Sequence, residues 1–233
     1  MNNRGKALLS ALGSPVGRKV LTGVTGLALV LFVIVHMMGN LSYLSADENA
    51  YNLYAQALAD FGPLLYVAEI GLAAFIVIHA VIGVSIYLRK RRARQVAYSK
   101  YRSAGRPSRL STSSKTMIFT GIVLLVFLVN HLKSFKFGPG VSEGYVVEID
   151  GRQVRDLKRL MTEKFAEPLY AFGYVGVMVL LGFHMRHGFW SALQSLGLMN
   201  PRLTPLVYTL GAILAVAVAA GFIGVPLYIY FSP

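Results

Sequence analysis

The sequence predicts an all-α membrane protein, a bundle of five transmembrane helices. Hydrophobic residues make up 55% of its 233 residues, and the mean hydropathy is +0.56. Charged residues make up only 14%, whereas a soluble domain carries about a quarter. The apolar residues are concentrated in five runs. At about 1.5 Å per residue, each run is long enough to cross a hydrocarbon core of about 30 Å.

The five runs are interpreted as single spans of one integral membrane domain that covers residues 1–233. In chain order they lie at about 19–44, 63–88, 116–137, 168–194 and 205–231. Glycine and proline mark the connections between them, as at Gly62-Pro63 and Asn200-Pro201. The first 18 residues lack a long apolar core, so we interpret them as an amphipathic lead-in and not as a cleaved signal peptide.

Two of the connections are predicted to have structure of their own. The segment 45–62 has apolar residues at helical spacing, which predicts a helix lying along the membrane interface. In the segment 138–167, the run VVEIDGRQV predicts a small hairpin that turns at Asp150-Gly151. A charged helix is expected after the hairpin, near 155–166.

The net charge of +13 is distributed unevenly between the connections. The segment from Arg89 to Lys115 holds ten Lys and Arg and no acid, whereas the 45–62 segment holds three acids and no base. The positive-inside rule therefore predicts that the N-terminus and the 89–115 segment are cytoplasmic and that the C-terminus lies outside. We interpret the basic excess as a topology signal and as a surface for phospholipid or a docking partner, with no nucleic acid involved.

The five histidines all fall within the predicted spans. His36, His79, His131 and His184 occupy the first four spans singly, and His187 follows His184 by one helical turn. Because polar groups are costly in lipid, this placement indicates a function. Buried neutral imidazoles on facing helices suit the axial positions of an iron porphyrin. The chain has no cysteine, which excludes thiolate-ligated clusters and covalent haem attachment.

Helix rise and topology sort four of these histidines into two pairs. His36 and His131 lie about 12 Å and 9 Å from the outer ends of their spans. His79 and His184 each follow a proline by 16 residues, which places both about 24 Å from the outer face. The outer pair would then hold one b-type haem and the inner pair a second, stacked across the bilayer. The alternative is that single histidines only hydrogen-bond between helices.

Four further residues are candidates whose roles the sequence leaves open. His187 is an uncertain haem contact or a polar residue near the inner interface, since it and His184 cannot both bind one iron from one side. Arg186 and Lys133 could pair with haem propionates or anchor the interface. Glu69 could exchange protons with a quinol or simply face the interface. Glycines that leave room for a macrocycle or for a tight helix contact occur at Gly23, Gly26, Gly71, Gly83, Gly182 and Gly188.

Several stretches of the chain resemble the five-helix, di-haem cytochrome b558 membrane anchor of bacterial succinate dehydrogenases and fumarate reductases. The resemblance covers nearly all of 14–205 and includes the run of the second span that ends at His79. It is carried by SPVGRKVLTGVTGLALVLFVIVHMMGNL, NAYNLYAQAL, SSKTMIFTGIVLLVFLVNHLKSF and GFHMRHGFWSALQSLGL.

This resemblance implies a role for each histidine pair. It assigns His36 and His131 to a distal haem b and His79 and His184 to a proximal one. The family pattern H-x-x-x-G, present as His184 and Gly188, favours His184 over His187. Some family members carry a glutamate where this chain has Gly182, so the proton path that such a residue provides is not expected here.

The resemblance also implies partners and a location. The chain would anchor a flavoprotein (FAD) subunit and an iron–sulfur subunit on the cytoplasmic side of the bacterial inner membrane. It would exchange their electrons with menaquinone and carry no dicarboxylate chemistry itself. One alternative is the haem b subunit of a nitrate reductase, hydrogenase or formate dehydrogenase. The other is a non-redox membrane scaffold or transporter, for which broken helices at the midplane would be expected.

Overall fold

The computed structural model describes residues 10–93 and 112–232, and most of these residues are helical. Five of the helices are long and apolar enough to cross a membrane, which confirms the predicted number of spans. We number the helices in chain order. They are α1 (Pro15–Leu41), α2 (Ala50–Ala59), α3 (Pro63–Arg92), α4 (Thr112–His131), α5 (Leu157–Phe165), α6 (Pro168–Ser195) and α7 (Leu203–Phe231), of which α2 and α5 are short.

Prolines and a serine cap define where three of the long helices begin. Proline is favoured at the first helical position, where its missing N–H has no partner to lose. Pro15, Pro63 and Pro168 occupy that position in α1, α3 and α6. Before α1, the Ser14 hydroxyl accepts a hydrogen bond from the Gly17 N–H at 3.0 Å, as an N-cap does. The structure therefore begins α1 at Pro15, a few residues before the predicted span.

Helix α4 ends in a different kind of turn. After His131, residues Leu132–Lys136 form a π-helical turn. Its defining bond runs from the Phe137 N–H to the Leu132 carbonyl at 2.8 Å, a spacing of five residues instead of four. Such turns frequently occur at functional sites.

The connection between α4 and α6 contains the predicted hairpin. Strand β1 (Val146–Ile149) pairs antiparallel with β2 (Arg152–Arg155), with Val147 opposite Val154. The two residues between the strands, Asp150 and Gly151, have φ angles of 51° and 73°. Positive φ at both central positions is typical of the tight hairpin turn for which Asp-Gly is favoured. The hairpin prediction is therefore confirmed, as is the helix after it, which spans Leu157–Phe165.

Helix α2, the hairpin and α5 pack together, and we call this group the cap. Asn52 of α2 is only 3% exposed, and its side chain is satisfied at both ends. Its amide donates to the Asp156 carboxylate at 3.0 Å, and its carbonyl accepts the Lys158 N–H at 2.9 Å. Met161 and Phe165 of α5 are buried in an apolar cluster that includes tyrosines of the first connection. The cap is thus held by an apolar core and a satisfied buried amide.

The residues group into two compact units. The first comprises Met1–Leu31, Leu72–Gly121 and Phe183–Leu214, and the second comprises Phe32–Gly71, Ile122–Gly182 and Ala215–Pro233. Each of the five long helices contributes residues to both units. The cap lies entirely within the second unit.

The cap carries a carboxylate whose protonation should weaken it. Glu163 accepts hydrogen bonds from the Tyr145 hydroxyl at 2.5 Å and from Arg159 Nε at 2.8 Å, and these bonds lower the pKa of Glu163 below its ordinary value. A group with a lowered pKa stabilises the folded state above its unfolded pKa of about 4.3. This stabilisation is lost as the pH falls through the folded pKa. We therefore expect the protection factors of α5 amides, their exchange rates relative to an unfolded chain at the same pH, to fall as the pH drops below about 4.

The matched variants are Glu163→Gln and Glu167→Gln. Glu163→Gln should remove this acid-dependent loss of protection. Glu167→Gln should keep it, because the Glu167 carboxylate forms no ion pair with residues 10–93 and 112–232. An unchanged pH profile in Glu163→Gln would contradict the assignment.

Candidate functional site

All five histidines lie on long helices, and four of them meet in two pairs. The rings of His36 on α1 and His131 at the end of α4 have centroids 5.8 Å apart and planes at 86°. The rings of His79 on α3 and His184 on α6 have centroids 6.4 Å apart and planes at 67°. These are the two pairs that helix rise predicted, and we keep the names outer pair and inner pair for them. The inner pair lies within the first unit and the outer pair within the second.

Each pair offers two imidazole ligands, the number that a porphyrin iron needs when the macrocycle supplies the others. A bare metal ion usually takes three or four protein ligands. No group of three or more His, Cys, Asp or Glu side chains suited to a metal ion occurs among residues 10–93 and 112–232. The donor set of both pairs therefore fits haem better than a bare metal ion.

The spacing of the rings also fits one iron per pair. An imidazole nitrogen binds a metal at about 2 Å and lies about 1 Å from its own ring centroid. Two imidazoles on opposite sides of one iron therefore have centroids about 6 Å apart. The observed separations of 5.8 Å and 6.4 Å agree with this distance.

A threonine contacts each histidine of the inner pair. The Thr25 hydroxyl on α1 lies 3.4 Å from His79 Nδ1, and the Thr120 hydroxyl on α4 lies 3.0 Å from His184 Nδ1. Both threonines are buried, with 4% and 1% of their surface exposed. Hydrogen bonds to the outer nitrogen of a ligating imidazole fix its ring orientation. The inner pair has such a partner at both rings.

A glycine lies directly after each of these threonines and makes room for the ring. A Cβ atom at Gly26 would lie 3.1 Å from His79 Cε1, and one at Gly121 would lie 3.4 Å from His184 Cε1. Gly23 and Gly182 instead lie close to other helices. A Cβ atom at Gly23 would lie 3.3 Å from the Ala192 carbonyl oxygen, and one at Gly182 would lie 3.3 Å from Ala219 Cβ. Among the residues described, nothing lies within 4 Å of a Cβ at Gly71, Gly83 or Gly188.

The outer pair has different partners. His131 Nδ1 lies 3.3 Å from the Tyr174 hydroxyl, which in turn lies 3.5 Å from the Tyr170 hydroxyl. His36 Nε2 lies 3.4 Å from the side-chain amide nitrogen of Asn40. To bind a haem iron through Nε2, His36 would have to give up its contact with the Asn40 amide. His131 contacts the Tyr174 hydroxyl through Nδ1, and that contact does not involve its Nε2. The polar surroundings of the two pairs are therefore unlike.

His187 stands apart from both pairs. Its ring packs edge-on against Trp190 with centroids 4.9 Å apart. Its Nδ1 is buried and has no hydrogen-bond partner among the described residues. Arg186 beside it is exposed and forms no ion pair within residues 10–93 and 112–232. Within the described part of the chain, His187 Nδ1 therefore has no hydrogen-bond partner and Arg186 has no ion-pair partner.

The carboxylate of Glu69 is paired. It forms an ion pair with Lys136 of the π-helical turn, and the two side chains are 36% and 38% exposed. Lys136 Nζ also lies 5.8 Å from the ring centre of Tyr66. Lys133, the lysine singled out from the sequence, is exposed and has no ion pair in the described part of the chain. The cation that partners Glu69 is therefore Lys136.

Sequence reasoning missed the residues that contact the histidine rings. Besides aromatic neighbours such as Phe127, they include Thr25, Thr120, Gly121, Tyr174 and Asn40. For Thr25, Thr120 and Gly121 the sequence offers the dipeptide Thr-Gly at 25–26 and 120–121. The same dipeptide also occurs at 22–23, where Gly23 faces Ala192, so the signal is not specific. Nothing in the sequence pattern marks Tyr174 or Asn40 among the chain's other tyrosines and asparagines.

The topology prediction falls largely outside the described residues. Arg89–Arg92 close α3 as a basic last turn, but residues 94–111 of the basic segment lie outside the described ranges. Comparisons of the chain with protein-family models, with curated proteins and with solved structures found no match.

Proposed function

We propose that this chain is the di-haem membrane anchor of a bacterial succinate:quinone oxidoreductase, a respiratory complex II. It would carry electrons between a cytoplasmic iron–sulfur subunit and menaquinone. In this proposal, His79 and His184 hold one haem b, and His36 and His131 hold the other. The observation that carries the proposal is that four imidazoles on apolar helices form two pairs, each spaced for one iron. A haem iron with two histidine ligands has no open coordination position and supplies electron transfer.

The side chains around the pairs orient the imidazoles. Thr25 and Thr120 contact the Nδ1 atoms of the inner pair, and Tyr174 contacts that of His131. Phe127 stacks on His131 with ring centroids 5.6 Å apart. Because apolar and aromatic surroundings exclude water, the imidazoles are kept neutral and able to act as ligands.

A quinone-reactive group is proposed close to the outer pair. Glu69 and its partner Lys136 belong to the second unit, as the outer pair does, and Lys136 follows His131 by five residues on one continuous helical element. In the proposal, the Glu69 carboxylate takes up or releases the protons that menaquinone exchanges when its redox state changes. Lys136 holds that carboxylate in position, and Tyr66 flanks the lysine.

The partners follow from the basic segment. In this proposal, Arg89–Arg92 and the residues up to Lys115 face the iron–sulfur subunit on the cytoplasmic side of the bacterial inner membrane. A flavoprotein subunit bound to that partner would carry the dicarboxylate chemistry. Arg186 and Lys133, both exposed, are proposed propionate partners of the inner and outer haems. The complex would contact phospholipid and could associate further with copies of itself.

Haem content and partner identity test this proposal. The purified full-length chain should carry two haem b per polypeptide, measured by pyridine haemochrome absorbance against protein concentration. Both should be low-spin, with the electron paramagnetic resonance signals of iron bound by two histidines. A chain with one haem or none would refute the proposal.

Affinity purification from the native membrane then separates the candidate complexes. It should recover a flavoprotein with covalent or tightly bound FAD and an iron–sulfur protein, together with succinate:menaquinone reductase activity. Two haems accompanied by a molybdenum or nickel enzyme would keep the di-haem assignment and overturn the succinate assignment.

A further inference from the structure

The inner pair is held by two threonines whose hydroxyl hydrogens have acceptors elsewhere. A hydroxyl has a single hydrogen to donate. The Thr25 hydroxyl is 2.8 Å from the Leu21 carbonyl oxygen, and the Thr120 hydroxyl is 3.1 Å from the Thr116 carbonyl oxygen. Both bonds run back four residues along the threonine's own helix, as is common for Thr within helices. Because its hydrogen is used in that bond, each hydroxyl faces the histidine with its oxygen, which can only accept a hydrogen bond from the imidazole.

An acceptor opposite Nδ1 selects one form of a neutral imidazole. In that form Nδ1 carries the hydrogen and Nε2 keeps the lone pair with which it binds a metal. The surroundings of both rings therefore favour hydrogen at Nδ1.

The outer pair lacks this arrangement. The Tyr174 phenol facing His131 Nδ1 can donate or accept, and its other described partner, Tyr170, can do either as well. His36 is approached at Nε2 by an amide nitrogen. The two histidine pairs of this chain are therefore distinguished by the polar groups behind them.

We propose that Thr25 and Thr120 are positioning residues that fix the tautomer of His79 and His184 with hydrogen on Nδ1, and that they thereby lower the reduction potential of the inner haem below the value it would have without them. The tautomer claim concerns the protein alone, and the reduction-potential claim rests on the proposed function. An accepted Nδ1–H bond raises the basicity of the ligating nitrogen. A more basic ligand favours ferric over ferrous iron, and the threonine pair supplies such a bond at both axial positions.

The tautomer can be tested in the full chain without haem. The protein is produced in a haem-deficient host with ¹⁵N-labelled histidine and studied in lipid bilayers by solid-state nuclear magnetic resonance. Signals are assigned by their loss in the variants His79→Gln and His184→Gln. We expect His184 to show protonated Nδ1 and bare Nε2, and Thr120→Val to populate the other form as well. Hydrogen on Nε2 of His184 in the unsubstituted chain would overturn the proposal.

The effect on the haem is tested by redox titration of the loaded chain. Thr120→Val should weaken the preference for ferric iron in one haem about tenfold, which raises its midpoint potential by about 59 mV for one electron. Thr120→Ser, which keeps the hydroxyl, should restore the original value. Thr25→Val should have the smaller effect, because the Thr25 hydroxyl lies 3.4 Å from His79 Nδ1 whereas the Thr120 hydroxyl lies 3.0 Å from His184 Nδ1.

Thr22→Val is the matched control. Its hydroxyl donates to the Arg18 carbonyl oxygen at 2.9 Å, within its own helix and not to His79. The substitution should leave both potentials unchanged. Equal shifts of both haems in Thr120→Val, or no shift, would refute the tuning role even if the tautomer is as expected. A chain that binds no haem would refute the proposed function. The nuclear magnetic resonance measurement would still decide the tautomer claim, because it needs no haem.

Discussion

Replacing His184 by alanine removes one of the two haems that the chain is proposed to bind, while replacing His187 removes neither. The two residues are one helical turn apart on α6, so the comparison holds the helix and its depth constant. His184 faces His79 across 6.4 Å between ring centroids, whereas His187 packs against Trp190 and has no histidine opposite. A lone imidazole at His79 cannot hold a bis-histidine iron.

Haem content relative to protein is the primary measurement. The His184→Ala chain should retain about half the haem b of the unsubstituted chain and lose one of the two low-spin resonances. His187→Ala should keep the full amount. Loss of haem in the His187 variant with retention in the His184 variant would reverse the assignment of the ligand. Full haem content in both would show that the inner histidines serve only to join helices.

The second large effect is expected from filling the space beside His79. Valine at Gly26 would place a Cβ atom 3.1 Å from His79 Cε1 and add two methyl groups beyond it. The ring must then move, and overpacking of this kind costs about 1–3 kcal/mol. Expressed as haem affinity, this is a loss of roughly fivefold to 150-fold at the inner pair.

A bulky substitution on the other side of the same helix provides the control. Val24 is two residues from Gly26 and so lies about 200° around α1, and it is 49% exposed. Val24→Phe should therefore retain both haems. Haem titration of the separately purified apo chains measures both affinities. Inner-pair haem affinity that is the same in the Gly26→Val chain as in the unsubstituted chain would contradict the close approach of glycine and histidine.

Much of the architecture follows from local sequence rules. Hydropathy located five spans because a bilayer demands about 20 apolar residues for each crossing. Helix rise alone was enough to pair the histidines, since each of the four long helices runs without a break up to its histidine. The Asp-Gly turn could be predicted because its two positive φ angles suit few other residue pairs.

The contacts behind the histidines depend on how helices rotate against one another, which periodicity does not fix. Thr25 is one of many small polar residues in the spans, and only packing shows that it reaches His79 on α3. Lys136 was overlooked for a separate reason. Lys133 and Lys136 both follow His131 closely, and only the structure, with its π-helical turn Leu132–Lys136, shows which lysine reaches Glu69.

That π-helical turn has a consequence for how this protein should be compared with others. A turn closed over five residues is equivalent to one extra residue inserted into an α-helix. Without that insertion, the lysine would sit four residues after the histidine and still point to the same side. A chain one residue shorter between His131 and Lys136 could thus preserve the ion pair with Glu69. An alignment without a gap at this point would match the lysine to the wrong neighbour and report a conserved contact as lost.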